Sequence, residues 1–227
     1  MVTICALVAA FNEEEHVGHV VSGTRPHVSE VVVVDDGSTD ATAARAAAAG
    51  AHVLTHDRNL GKGRALRTGL AYILEYVPCT HVLLLDGDMQ HDPAEIPKLV
   101  DKAVTGVGHF VLGEREFSKE LMPAARFYSN VIGSSILSRF IGARVVDSQS
   151  GFRLIRTDWL RAVALTGRGY EIESEMLIKL ARAGAVIERV PVKRLQYEGA
   201  RSKIRPFRDT FRTCMLALGY RYFSSER

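Results

Sequence analysis

The chain has 227 residues, 29 basic against 26 acidic, a net charge of +3 and 47% hydrophobic residues. That is the balance of a soluble globular protein long enough for one large α/β domain or two small ones, and the charge is too mild to point to nucleic acid by itself. The three cysteines, Cys5, Cys79 and Cys214, have the spacing of neither a zinc site nor a disulfide framework, which suits a reducing cytosol.

In chain order, β-branched runs at Val2–Ala9, Val31–Val34, Val53–Thr55 and Val82–Leu85 predict strands. Helical stretches at Glu13–Gly23, Asp40–Ala49 and Gly63–Tyr76 fall between them. This alternation predicts βαβ units and a parallel sheet, and runs such as VVVV predict cover on both faces. Asp40 suits an N-cap and Gly50 a helix stop. Asp92-Pro93 opens a helix to about Val104, followed by a strand at Phe110–Gly113 and a long helical region from about Met122 to Gly142. Then come Phe152–Ile155, a short helix near Asp158–Leu165, a helix over Ile172–Ala183 and a strand over Val186–Val192. Residues 1–204 are expected to form one catalytic domain, and residues 205–227 a C-terminal amphipathic helix. No charged segment precedes the first strand-like run, so no secretory leader is expected. No apolar run reaches the ~18 residues of a bilayer-crossing helix.

The segment HVLLLDGDMQHDP drives a hydrophobic strand into Asp86 and Asp88. Ligands of parallel sheets collect at the carboxyl ends of strands. Residues i and i+2 of extended chain share a side, so both carboxylates can face one point. Gly87 lets backbone approach a ligand closely. Two carboxylates beside a buried strand repel unless a cation sits with them. Hard oxygens with room for phosphate suit Mg²⁺ or Mn²⁺ on Asp86 and Asp88, with Gln90 as a further oxygen. Asp92 reads as a cap for the helix at Pro93, and His91 as a turn or supporting residue. His16 and His19 lack a partner acid at metal spacing.

Gly61-Lys62-Gly63 precedes a helix without Walker spacing; the helix N-terminus and Lys62 can face a diphosphate. Arg115, Arg126, Arg153, Arg194, Arg201 and Lys203 offer guanidinium forks and a point charge to phosphates. Arg153 reads equally as a structural ion pair.

The runs AAFNEEEHV, VVVVDDGSTDAT, NLGKGRAL, LLLDGDMQHDP, DSQSGFRLIR and GARSKIRP occur in the order seen in family 2 glycosyltransferases with the GT-A fold. More narrowly, the chain resembles the dolichol-phosphate mannose synthase and polyprenyl-phosphate glucosyltransferase branch, over nearly its whole length. The resemblance implies an α/β, Rossmann-like, mostly parallel sheet flanked by helices. It implies an inverting, metal-dependent transfer of a hexose from a nucleotide sugar of the GDP-mannose or UDP-glucose type to a polyprenyl or dolichyl phosphate. Ala9, Phe11, Glu13, Val34 and Asp36 would line the nucleotide site, with Asp35 and Gly37 shaping the turn. Where the family has Pro-x-Tyr-Asn-Glu, this chain has Ala9-Ala10-Phe11-Asn12-Glu13, which keeps a ring and removes a hydroxyl. Arg115, Arg126, Arg194 and Lys203 would bind phosphates, and Asp88, Arg115 and Lys203 would carry the transfer.

Of the acids in Tyr170-Glu171-Ile172-Glu173-Ser174-Glu175, Glu173 is expected in the pocket and the others exposed. A phosphate acceptor, with its second pKa at roughly 6, attacks without a protein base. A hydroxyl acceptor on a soluble or saccharide substrate is the alternative, with Glu173 or Glu175 as base. A degenerate nucleotide-sugar binder conflicts with the intact acid pair, and a nucleotidyltransferase with the missing Gly-rich loop after the first strand. The C-terminal Phe207, Phe211, Met215, Leu218 and Phe223, interspersed with Arg208, Arg212 and Arg221, read as an interfacial helix or a packing face. The expected location is the cytoplasm, peripheral at the cytoplasmic membrane face, with a membrane-spanning partner as a further option.

Overall fold

The computed structural model describes residues 2–115, 124–193 and 195. The expected C-terminal helix, the domain boundary at 204/205, and Arg194, Arg201 and Lys203 lie outside the described residues, as does the Arg126 side chain. The strands are β1 (Ile4–Ala10), β2 (Glu30–Asp35), β3 (His52–Thr55), β4 (His81–Asp86), β5 (Phe110–Arg115), β6 (Arg153–Arg156) and β7 (Ile187–Val192). The helices are α1 (Val17–Thr24), α2 (Thr42–Ala48), α3 (Lys62–Tyr76), α4 (Ile96–Thr105), α5 (Ala124–Ile141), α6 (Thr157–Arg161) and α7 (Glu171–Arg182).

The strands form one sheet in the order β3-β2-β1-β4-β6-β5-β7. All neighbours are parallel except β6, which runs against both β4 and β5. Alternate residues of β1 point to opposite faces, and each face meets its own core. Cys5 and Leu7 join Leu66, Leu70 and Ile73 of α3, Leu137 of α5 and Met176 and Leu177 of α7. Ile4, Ala6 and Val8 join Val17, Val20 and Val21 of α1, Ala46 of α2 and Ile96 and Leu99 of α4. The expected two-sided cover is therefore present.

The strand order reverses between β1 and β4: β2 and β3 lie to one side of β1, β4 to the other. Such a switch point opens a crevice at the carboxyl edge. Ala9 sits there in register with Val34 and Asp86. Because β6 runs backward, its first residue, Arg153, pairs with Leu84 and Leu112, so the loop leading into β6 also reaches this edge.

Two predicted boundaries move for local reasons. The helix expected from Glu13 begins at Val17, because the turn before it is laced to the turn after β2. Asn12, in the left-handed region at φ 52°, receives Thr39 N–H on its side-chain oxygen at 2.9 Å, and Glu13 N–H donates to Thr42 Oγ1 at 2.8 Å. Asp40 accepts Thr42 N–H at 3.0 Å from one residue ahead of the N-cap, which is Ala41. Gly50 stops α2 at φ 93°, as expected. Cys5, which is buried, and Cys79, which is half-buried, are both free.

Candidate active site

The acidic strand end is as sharp as the sequence suggests. Asp86 is the last residue of β4, and Gly87 N–H donates to Ala9 O at 3.2 Å. A Cβ on Gly87 would lie 3.0 Å from Ala10 Cβ, so the turn is drawn against β1. Met89 then takes φ 57°, a conformation that costs a side-chain-bearing residue about 1–3 kcal/mol and gathers at functional sites. Asp88 accepts Gln90 N–H at 3.1 Å and Gln90 Nε2 at 2.6 Å.

Lys62, the first residue of α3, reaches into this corner. Its Nζ lies 2.6 Å from Asp86 Oδ1 and 2.5 Å from Glu173 Oε1. Burial works against its ammonium, but the two carboxylates raise its pKa well above the ordinary lysine value. Burial likewise disfavours the Asp86 carboxylate, yet Lys62 and then His91 hold its pKa well below the usual carboxylate range. His91 is buried, with Nε2 3.7 Å from Asp86 Oδ2 and its ring against Phe152, centroids 5.2 Å apart.

Arg115 ends β5 on the other flank. Its Nε and Nη2 donate to Asp147 Oδ2 and Oδ1 at 2.6 and 3.0 Å. Burial opposes the guanidinium charge, but Asp147 raises its pKa, and Asp86 and Asp88 add to the effect.

The expected phosphate site at the start of α3 is revised. A Cβ at Gly63 would meet Gly167 O and Arg168 C at 2.7 Å, and one at Gly61 would meet Arg168 O at 2.6 Å. The 167–168 backbone thus covers that helix start, and Lys62 serves the acidic corner. Glu175 holds this covering loop, accepting Thr166 N–H at 2.9 Å and Gly167 N–H at 2.7 Å and pairing with Lys179 at 2.7 Å.

Other expectations are also corrected. Glu175 is fully buried, not exposed, and Glu171 accepts Arg168 and Gly169 N–H at 3.0 Å. Asp36 is expected from the resemblance to line the nucleotide site. Its carboxylate instead accepts Leu60 N–H at 3.0 Å and Gly61 N–H at 2.8 Å and meets His56 Nδ1 at 2.7 Å, fixing the approach to α3. The Val34 side chain is buried among Leu7, Leu66 and their neighbours on the α3 face, away from the rim. Arg153 is fully enclosed and donates to the carbonyls of Ser150 (2.8 Å), Ser148 (2.9 Å) and Glu173 (2.6 Å). Burial lowers its pKa to about 10; its work is to clamp the loop before β6. Asp35 receives Ser38 N–H at 3.2 Å and Gly37 has φ 71°, so both shape the turn. Phe11 and Glu13 are partly exposed at the rim.

Sequence reasoning assigned nothing to Asp147 or Tyr170. Tyr170 has its ring 5.6 Å from Lys62 Nζ; burial, with the carboxylates of Asp86, Glu173 and Asp88, pushes its hydroxyl up to about 12. Its only sequence signal is its place just before the acidic helix start.

The residues present fit a divalent cation of magnesium type. Among the described residues no three His, Cys, Asp or Glu side chains converge at metal-binding spacing, but Mg²⁺ commonly takes one or two carboxylates and completes its shell with phosphate oxygens and water. Among the described residues Asp88 pairs with no cationic side chain, and turning the Gln90 amide end for end places an oxygen beside it.

The glycosyl transferase family 2 profile matches residues 5–164. Glycosyltransferase AglJ of Haloferax volcanii is 32% identical, over 91% of this chain and 68% of its own length. The undecaprenyl-phosphate mannosyltransferase of Micrococcus luteus is 29% identical, over 88% of this chain and 87% of its own. Among solved structures, glucosyl-3-phosphoglycerate synthase of Mycobacterium tuberculosis, in complex with Mn²⁺, UDP and glucosyl-3-phosphoglycerate, superposes with a TM-score of 0.75 at 26% identity, covering 96% of this chain and 79% of that one.

Proposed function

The chain belongs to glycosyl transferase family 2 and is a glycosyltransferase with the GT-A fold, and from that premise we propose that it moves a hexose from a nucleotide diphosphate sugar to a polyprenyl phosphate, with inversion. The observation that carries this reading is the corner at the switch point of the sheet, where Asp86 and Asp88 stand between Lys62 and Arg115. The mannosyltransferase of M. luteus, named for an undecaprenyl-phosphate substrate, supports the acceptor class. The synthase from M. tuberculosis, bound to Mn²⁺ and UDP, supports the donor class.

Asp88, with Asp86 and Gln90 beside it, would hold Mg²⁺ or Mn²⁺, which when bound supplies neutralising charge for a leaving diphosphate. Ala9, Phe11 and Glu13 face the nucleotide, and Phe11 offers a ring to the base. Gly87 brings backbone close to the donor. Lys62 keeps Asp86 ionised and holds both Asp86 and Glu173 in place. Arg115, with Arg126, Arg194, Arg201 and Lys203 from segments outside the described side chains, draws the phosphates together.

A soluble hydroxyl acceptor is the second reading, because the M. tuberculosis synthase makes glucosyl-3-phosphoglycerate. Glu173 weighs against it here. Its carboxylate is turned to the Lys62 ammonium at 2.5 Å, so it is engaged in that contact and not aimed at a substrate hydroxyl. A dianionic phosphate acceptor needs none. Among the described residues no helix is long and apolar enough to cross a membrane; the enzyme would meet its lipid substrate peripherally or through a membrane partner.

The test is transfer from UDP-glucose and GDP-mannose to polyprenyl phosphate, with 3-phosphoglycerate as soluble comparison, in Mn²⁺, Mg²⁺ and EDTA. Divalent-dependent glycolipid formation is expected. Transfer to the soluble acceptor alone, or undiminished transfer in EDTA, overturns the proposal.

A further inference from the structure

The segment DSQSGFR was notable in the sequence, yet its first residue has no role so far. We propose that Asp147 is a positioning residue for the transfer reaction: it fixes the Arg115 guanidinium so that Nη1 takes a substrate phosphate oxygen at the Asp86–Asp88 corner. This rests on reading that corner as a phosphate site.

The geometry is directional. Asp147 is fully buried and takes the Nε and Nη2 edge of Arg115 in a two-point contact at 2.6 and 3.0 Å. A two-point contact sets the plane of the guanidinium as well as its place. Among the described residues Nη1 has no hydrogen-bond partner. Arg115 keeps 15% of its side chain exposed while Asp147 keeps none, so the pair opens on the arginine side.

Asp147 is itself immobilised. Asn130 of α5 donates Nδ2 to Asp147 Oδ1 at 2.9 Å. Ser134, one turn on, lies 3.1 Å from Asn130 Oδ1 and accepts Ser148 N–H at 3.0 Å. Val146 N–H donates to Glu114 Oε1 at 2.6 Å, tying the loop to the end of β5. From beneath, Arg153 holds the carbonyls of Ser148 and Ser150. Four residues after Asp147, Gly151 lies against Asp86, where a Cβ would come within 2.8 Å of Oδ2. One clamped loop therefore backs Asp86 and orients Arg115, setting the spacing between the acidic corner and the cation that faces it. An ion pair serving stability alone has no need of that shared loop.

The experiment uses the full chain with Asp147→Asn, Arg115→Lys and the double variant. UDP and GDP binding with Mn²⁺ is read by calorimetry, turnover on polyprenyl phosphate by acceptor KM and kcat, and folding by thermal melting. Asp147→Asn is expected to lose about ten- to a hundredfold in kcat/KM, the scale set by small misplacements of binding groups. The double variant is expected to fall within about threefold of Arg115→Lys, because lysine cannot use the two-point hold. A weakened nucleotide affinity assigns the phosphate to the donor, and a raised acceptor KM assigns it to the acceptor; either supports the proposal. Multiplicative losses in the double variant, or lowered melting with both binding constants unchanged, overturn it. If Asp147→Asn does not fold, Asn130→Ala replaces it: a several-fold loss of kcat/KM supports the proposal and unchanged kinetics overturn it. If the wild-type chain ignores polyprenyl phosphate but binds nucleotide, the acceptor reading fails, and nucleotide affinity in Asp147→Asn still decides this one.

Discussion

The Lys62 ammonium stands between Asp86 and Glu173, 2.6 and 2.5 Å from their carboxylate oxygens, joining the start of α3 to the end of β4 and the first turn of α7. All three side chains are largely withdrawn from water, so removing the cation strands two buried negative charges. Lys62→Met is expected to lower unfolding free energy by about 3–5 kcal/mol. Adding Glu173→Gln to it should recover part of that loss. Urea denaturation of the wild type and the two variants checks both statements.

Asp88 differs from Asp86 in having a neutral amide as its partner. Asp88→Asn is expected to keep the melting temperature within a few degrees while removing all but about a thousandth of transfer, given the size of a lost charge-stabilising group. Turnover alongside circular dichroism checks it, and a fold collapse would contradict the assignment.

Gly63 has ordinary backbone angles, so its glycine is a matter of space. Gly63→Ala presses a methyl into the 167–168 backbone at 2.7 Å. Overpacking of this kind costs about 1–3 kcal/mol. Because the displaced loop leads to Tyr170, donor KM should rise as stability falls, which chemical denaturation and donor kinetics will show.

Glu175 gives the protein an acid limit. Burial opposes its carboxylate, but Lys179 and the Thr166–Gly167 donors lower its folded pKa. A depressed pKa stabilises the fold fully above the unfolded value, about 4.3 for glutamate. The contribution fades as pH falls through that value toward the lower folded one. Between pH 7 and pH 5 no change is expected from this group; between about pH 4.5 and pH 3 the wild type should lose stability faster than Glu175→Gln. Denaturation midpoints across that range check the sign.

Much of the site was legible because its chemistry is local. A hydrophobic run ending in Asp86-Gly87-Asp88 places two carboxylates on one strand end in any parallel sheet. The strand and helix alternation of the first half was equally readable, since period and turn residues suffice. What sequence could not carry was the partnership between distant segments. Asp36 and Arg153 look like ligand-facing charges when read alone, yet one holds the approach to α3 and the other the loop before β6. Glu175 falls on one helical stripe with Glu171, Lys179 and Arg182, none of which is buried, so its spacing reads as exposed; the 166–167 backbone that covers it comes from outside the helix. The contact of Asp147 with Arg115 spans β5, α5 and a loop, and no spacing rule connects them.

The reversal of β6 has a practical meaning for redesign. On the β1–β2 side, chain leaves the strands at this rim, after Ala10 and Asp35. On the β5–β6 side, chain also arrives, bringing Asp147 and Gly151 ahead of the strand. Exchanging the arriving segment together with α5 between relatives would retune how Arg115 is aimed and how closely Gly151 backs Asp86, without altering the strand ends of β1 and β2.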